Sequence, residues 1–270
     1  MDTHTETRAS QGGSPPPLPA PAIETHQVVR QFGTMLAVDH LDLRVERGRF
    51  YGFLGPNGAG KSTTIKMLTG LLAPSSGSIR ILDCDISDPL AAREVKRRIG
   101  VVPENLGLFD NLTAREYLTF VGRMYLLPRE MIQARASELL HMMGLENEEK
   151  KFTLEYSHGM RKKLALAGAL IPNPDLIFLD EPFEGVDAVS SRTLRDVLKR
   201  CVERGATIFL TSHVLEIVER LCTDVGIIAN GKLVLQESME CIRQAGTLEE
   251  RFLRAVGGEH EGGQQLSWLE

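Results

Sequence analysis

Cysteine is scarce in this chain: Cys84, Cys201, Cys222 and Cys241 are the only four in 270 residues, and no two form a Cys-X-X-Cys pair. Scattered cysteines exclude the usual zinc frameworks and a disulfide scaffold, and they fit a reducing compartment. All four are expected to be small buried apolar side chains. A basic excess is also missing, since 31 Lys and Arg stand against 36 Asp and Glu, a net charge of −5. That balance argues against nucleic acid as a partner. No apolar run approaches the roughly 20 residues that cross a bilayer. The N-terminus carries Asp2 and Glu6 and lacks the apolar segment of a signal peptide. The expectation is a soluble, cytoplasmic chain without direct membrane insertion, which meets a membrane only through a partner.

What is present is ordinary for a globular protein: 42% apolar residues and enough length for a sizeable core. Residues 1–22 contain SPPPLPAPA and read as a disordered Pro-rich tail. Residues 258–270 read as a flexible tail, with Leu266, Trp268 and Leu269 as its apolar residues. Between them, THQVVRQF and LDLRVERG alternate like paired strands. FYGFLG, IGVVPE, DLIFLDEP and ATIFLTS are short apolar runs, as expected for a sheet covered on both faces. VGIIANGKLVLQ predicts a hairpin turning at Asn230-Gly231. AREYLTFVGRMYLL, REMIQARASELLHMMGL and SSRTLRDVLKRCVERG have helical spacing. Strands alternating with helices predict an α/β fold with a mainly parallel sheet. Residues from about 105 to 170 read as nearly all helical and interrupt that alternation, so they are expected to be an inserted helical subdomain.

The sharpest motif is Gly55-Pro56-Asn57-Gly58-Ala59-Gly60-Lys61-Ser62-Thr63, which fits GxxxxGK[ST]. Its glycines let backbone N–H groups wrap a phosphate, Lys61 reaches the β- and γ-phosphates, and the Ser62 hydroxyl ligates Mg²⁺. An apolar strand precedes the motif and a helix follows it, the context the motif requires. Downstream, Leu176 to Leu179 deliver Asp180 and Glu181 to the C-terminal end of a strand, where ligands bind in open α/β sheets. Asp180 can hold Mg²⁺, and Glu181 can polarise an attacking water as general base. Ser212 and His213 end another apolar strand, where His213 can sense a γ-phosphate. His26, His40 and His141 have no such company and read as surface or packing residues. In Leu154–Leu164, LEYSHGMRKKL, a Ser-X-Gly turn precedes a helix, and the local sequence fits either an ordinary helix cap or an anion site.

With these residues in place, the chain resembles the ATP-binding subunits of ABC transporters from about Ile23 to Gly257. The motifs fall in the family's order: Phe32-Gly33, the P-loop, VVPENLGLFDNLTAREYL, YSHGM, IFLDEP, EGVD and TSH. Two departures point to the ABC-2-type exporter branch. Glu104 stands where the family usually has glutamine, and the signature reads Tyr156-Ser157-His158-Gly159-Met160 instead of Leu-Ser-Gly-Gly-Gln.

The resemblance implies a P-loop NTPase core of the ABC-ATPase type, with an N-terminal antiparallel β subdomain and an inserted α-helical subdomain, over one ATP-binding domain at 23–257. It implies ATP and Mg²⁺ as cofactors, with Ser62, Glu104 and Asp180 at the metal. Glu181 is the expected base and His213 the γ-phosphate switch. Phe32 is expected to stack on adenine, against the rival reading of a core residue at a strand end. Ser157 and Gly159 are expected to act in trans, on nucleotide held by a second ATPase subunit, with Asp187 linking the dimer. A separate integral membrane permease is the expected second partner. Leu106, Leu108 and Phe109 either form part of the groove that grips it or cap the helical subdomain's own core. The implied function is transport-coupled ATP hydrolysis that drives export. The alternatives are an import-type subunit and a soluble ABC ATPase without a transport role. A GTPase is disfavoured because no Asn-Lys-X-Asp base reader occurs.

Overall fold

Alternation within short apolar strands divides the buried side chains between two cores. The structure, a computed structural model, describes residues 20–257; the two expected tails lie outside the described residues, apart from Ala20 to Ala22. The first elements of the described residues are β1 (Ile23–Phe32) and β2 (Met35–Val45), which pair antiparallel as their alternation predicts. Next come β3 (Phe50–Leu54), α1 (Lys61–Leu68), β4 (Ser76–Ile81), β5 (Cys84–Asp85), α2 (Pro89–Arg98) and β6 (Ile99–Val102). Three helices follow: α3 (Ala114–Met124), α4 (Arg129–Met142) and α5 (His158–Leu170). Then come β7 (Leu176–Asp180), α6 (Ala188–Glu203), β8 (Thr207–Ser212), α7 (Leu215–Leu221), β9 (Asp224–Ala229), β10 (Lys232–Ser238), α8 (Met239–Ala245) and α9 (Leu248–Val256).

One sheet has the order β2-β1-β4-β5 and is antiparallel throughout. The other has the order β10-β9-β3-β8-β7-β6, parallel from β9 to β6 with β10 added antiparallel. In β3, Phe50 and Leu54 face one core while Tyr51 and Phe53 face the other. The same division separates Ile177 and Leu179 from Leu176 and Phe178, and Ile208 and Leu210 from Phe209. The first core is shared with α3 to α9 and the second with the antiparallel sheet, α1 and α2. Although aromatics are only 6% of the chain, three of them meet around Phe209. Tyr51 stacks on it at 5.6 Å, and Phe53 and Phe178 tilt against it at 5.3 and 5.8 Å.

The β9–β10 hairpin turns at Asn230 (φ 49°) and Gly231 (φ 79°), the pair of positive φ values that tight hairpin turns require. The stretch from 105 to 170 is less uniformly helical than its pattern suggests. Residues 103–113 form a loop up to the Thr113–Glu116 capping box of α3, and turns with one 3₁₀ segment (Thr153–Glu155) separate α4 from α5. The cysteine expectation holds in part. Cys222 is buried and burial pushes its thiol up, Cys84 and Cys201 are half-buried, but Cys241 is exposed on the outer side of α8. No helix among the described residues is long and apolar enough to cross a membrane.

Candidate functional site

The spatial order β3-β8-β7-β6 brings four strand ends to one sheet edge, and the candidate residues follow those ends. After β3, the P-loop runs into α1 through Gly60 (φ 110°), which starts the helix without any side-chain cap. The first amides of α1 are therefore left for a ligand, at the positive end of the helix dipole. Two glycines are there for space. A Cβ at Gly55 would sit 2.4 Å from the Ile228 carbonyl oxygen, and one at Gly60 would sit 2.5 Å from that of Ala37. The hairpin tip closes on the same loop: the Gly231 amide donates to the Ala59 carbonyl at 3.0 Å, and the Asp39 amide donates to the Gly231 carbonyl at 2.9 Å.

Lys61 is buried, with its Nζ 2.7 Å from the Gly55 carbonyl, 3.3 Å from that of Pro56 and 3.7 Å from Glu181 Oε1. Ser62 Oγ lies 3.4 Å from Asp180 Oδ1 at the end of β7. Thr211 in β8 donates its hydroxyl to the same Asp180 oxygen at 2.5 Å and accepts the Glu181 amide at 3.1 Å. Glu181 is buried yet holds φ 47°, a left-handed conformation uncommon for a residue with a Cβ. Its Oε2 lies 3.1 Å from Nδ1 of His213, just past β8. The structure thus brings Lys61, Ser62, Asp180, Glu181 and His213 into one cluster, with Asn57 and Gly58 exposed on the P-loop and Thr63 half-buried behind Ser62.

The remaining candidates lie around that cluster. Phe32 sits at the tip of the β1–β2 hairpin, 41% exposed, with the Arg30 guanidinium 4.5 Å above its ring. Its exposure removes the rival reading of a core residue. Glu104 is exposed in the loop after β6. Ser157 caps α5 by accepting the Met160 amide at 3.3 Å, and His158 Nε2 lies 3.2 Å from the Glu184 carbonyl oxygen of the same chain. Gly159 is buried because α6 lies against it: a Cβ there would sit 2.8 Å from both Asp187 Oδ2 and Ser190 Oγ. Asp187 caps α6, accepting the amides of Val189 at 3.0 Å and Ser190 at 2.9 Å, and the Ser190 amide holds its carboxyl below the usual range. Of the three exposed histidines without expected function, His40 pairs with Asp39, His26 with Glu24 and His141 with Glu146.

Two further residues belong to the site. Thr211 opens the TSH motif, in which only Ser212 and His213 draw attention at the strand end. Lys162 lies in no motif: it is buried in α5, where Nζ donates to the Glu181 carbonyl at 2.9 Å, and desolvation pulls its pKa down.

Comparison with known proteins fits this geometry. Residues 38–184 match the family described as ABC transporter. The bacitracin transport ATP-binding protein BcrA of Bacillus licheniformis is 40% identical over 213 residues, which cover 78% of this chain and 68% of that protein. The Nod factor export ATP-binding protein I of Cupriavidus pinatubonensis is 38% identical over 237 residues, covering 86% and 72%. The daunorubicin/doxorubicin resistance ATP-binding protein DrrA of Streptomyces peucetius is 38% identical over 219 residues, covering 81% and 66%. Among solved structures, an ATP binding subunit of an ABC transporter superposes with a TM-score of 0.80 at 28% identity, covering 87% of this chain and 99% of that one.

Proposed function

This chain belongs to the ABC transporter family and is an ATP-binding, ATP-hydrolysing transporter subunit; from that premise we propose that it powers export, as a head-to-tail dimer attached to a separate membrane permease. The observation that carries the reading is the single cluster of Lys61, Ser62, Asp180, Glu181 and His213 at one sheet edge. The open start of α1 receives the β- and γ-phosphates, and Lys61 exchanges its carbonyl and Glu181 contacts for phosphate oxygens. Glu181, released from Lys61, takes a proton from the attacking water, and His213 hydrogen-bonds the γ-phosphate. Phe32, exposed at its hairpin tip, stacks on adenine. Residues 23–257 act as one ATP-binding domain, with the helices between β6 and β7 as its helical subdomain.

The donor set suits Mg²⁺. Among the described residues no three His, Cys, Asp or Glu side chains gather to hold a metal alone. Ser62 Oγ and Asp180 Oδ1, 3.4 Å apart, offer oxygens of the kind Mg²⁺ uses when substrate phosphates complete its shell. Ser62, Asp180 and Glu104 would hold it, and when bound it neutralises charge on the triphosphate.

Ser157 caps α5, and Gly159 packs against Asp187 and Ser190 of its own chain. That supports a role toward nucleotide held by a second copy, with Asp187 beside the joint. Relatives named for bacitracin transport, Nod factor export and drug resistance support the export direction. Of the candidate permease contacts, Leu106 and Leu108 rest on the chain's own core, while Phe109 is exposed and meets Phe120 edge-on at 5.0 Å. Along α3 from Phe120, the exposed Met124 and Leu126 join Leu71, Arg93, Lys96 and Arg97 around a cleft of about 550 Å³. Exposed apolar residues grouped at a cleft, here with three cations beside them, mark a partner site. We assign it to a permease helix, which places the subunit at the inner face of the cell membrane.

The test is hydrolysis by the wild type and by Glu181→Gln. The variant should lose at least about 100-fold in kcat, the scale of removing a central catalytic group, and should form an ATP-dependent dimer. Unchanged turnover, or no dimer with ATP, would overturn the reading. Cysteine cross-linking from position 126 or 109 to the permease in an active complex tests the cleft; no link from either would remove it.

A further inference from the structure

We propose that Lys162 is a positioning residue: it holds the Glu181 backbone in its left-handed conformation and ties it to the Ser157 end of helix α5. The inference rests on the ATPase reading above and adds a residue that no motif marks.

Glu181 is gripped at both poles of its peptide backbone. Thr211 accepts its amide at 3.1 Å, and Lys162 Nζ donates to its carbonyl at 2.9 Å. Without these partners φ 47° would be an unfavourable choice for a glutamate, and surrounding structure must impose it. The conformation matters because it aims the side chain. Relaxing it would swing Oε1 and Oε2 away from Lys61 and His213, which they meet at 3.7 and 3.1 Å. A buried cation is costly unless something needs it. Lys162 is 3% exposed, and the carboxylates whose charges bear on it are those of Glu184, Glu104, Glu181 and Asp180.

The donor comes from a telling element. Lys162 lies five residues after Ser157, so about one and a half helical turns separate the Glu181 carbonyl bond from the start of α5. The intervening backbone is α-helix, and Gly159 is wedged against the α6 cap. A shift of the Ser157 end on meeting phosphate is therefore carried through a rigid segment to Glu181. Ser157 serves the partner's nucleotide while Glu181 serves the chain's own, so Lys162 connects the two sites of the dimer.

The experiment measures ATP hydrolysis by full-length wild type, Lys162→Met, Lys162→Arg, Ser157→Ala and the Ser157→Ala/Lys162→Met pair. Lys162→Met keeps the volume and removes the donor. It should lower kcat about tenfold or more while the half-saturating ATP concentration moves by less than about threefold, and Lys162→Arg should recover most of the loss. Ser157→Ala and Lys162→Met should be non-additive, the pair being about as slow as the slower single variant. Three results would overturn the proposal: Met within about twofold of wild type, Arg no better than Met, or strictly multiplicative losses. If Lys162→Met does not fold, Lys162→Gln, which retains an N–H donor on a shorter arm, takes its place with an intermediate kcat expected. Hydrolysis by the wild type and its loss in Glu181→Gln are judged separately, so failure here leaves the ATPase reading intact.

Discussion

Helices α1 and α5 both begin at residues of the site, but α1 starts on an uncapped Gly60 whereas α5 starts on Ser157, whose hydroxyl accepts the Met160 amide. Gly60 cannot satisfy the amides behind it, so they remain available to a phosphate, and its φ of 110° is one that residues with a Cβ rarely adopt. Ser157 satisfies one of its helix's amides internally, through a bond of 3.3 Å, at the long end of the useful range. An anion could take that bond over at little cost. The first helix start is open, its amides unpaired, whereas the second is closed by its own serine; on the proposed function the first meets the chain's own nucleotide and the second that of another subunit.

The largest way to break this contrast is Lys61→Ala, which takes the cation from the open start of α1. Hydrolysis should fall by about 10² to 10³ and nucleotide affinity with it, followed by phosphate release and by equilibrium binding. Ser157→Arg should also cost hydrolysis about 10², but leave ATP binding by the monomer within about twofold. Loss of monomer binding would mean that α5 belongs to the chain's own nucleotide. Gly159→Asp looks like an equivalent probe from sequence, but its Cβ would lie 2.8 Å from the Asp187 carboxylate, so it tests packing as well. The milder Gly159→Ala isolates that packing and should destabilise by about 1–3 kcal/mol, read as a drop of a few degrees in Tm. The smallest effect is in the α6 cap. The Ser190 amide depresses the Asp187 carboxyl below its ordinary 3.8. A depressed carboxyl contributes stability above its unfolded value and loses it as pH falls through the folded one. Wild type and Asp187→Asn should therefore differ in Tm at neutral pH and converge once the pH is well below 3.8.

What sequence reveals of the site follows from where its chemistry lies. Asp180, Glu181 and His213 stand at or directly after the ends of apolar strands, and Lys61 follows one across the P-loop, so strand pattern and motif together deliver them to one edge. The β4–α2 region was silent because SGSIRI exposes four of its six residues and carries no clean alternation. Three neighbouring cations show what pattern cannot convey. Arg161 binds Asp110 at 3.0 Å, Lys162 is buried under Glu181, and Lys163 is half-buried, yet in the string they are one basic run. Their fates depend on which face of α5 meets β7 and which meets the loop after β6, a matter of packing between segments remote in the chain. Phe32 was ambiguous for a related reason. Only the β1–β2 register, which pairs it with Met35 at the hairpin end, puts it at an exposed tip.

The Asn230-Gly231 turn has a practical bearing. By length and polarity it resembles the loop an engineer would choose for an affinity tag, a fluorophore or a permutation point, since such tips usually tolerate insertion, although Gly231 is buried beneath the exposed Asn230. Here the turn is fastened on both sides, to Ala59 of the P-loop and to Asp39 of β2. A tag spliced at 230–231 would loosen the P-loop from outside, and the protein would express and fold while losing its grip on nucleotide.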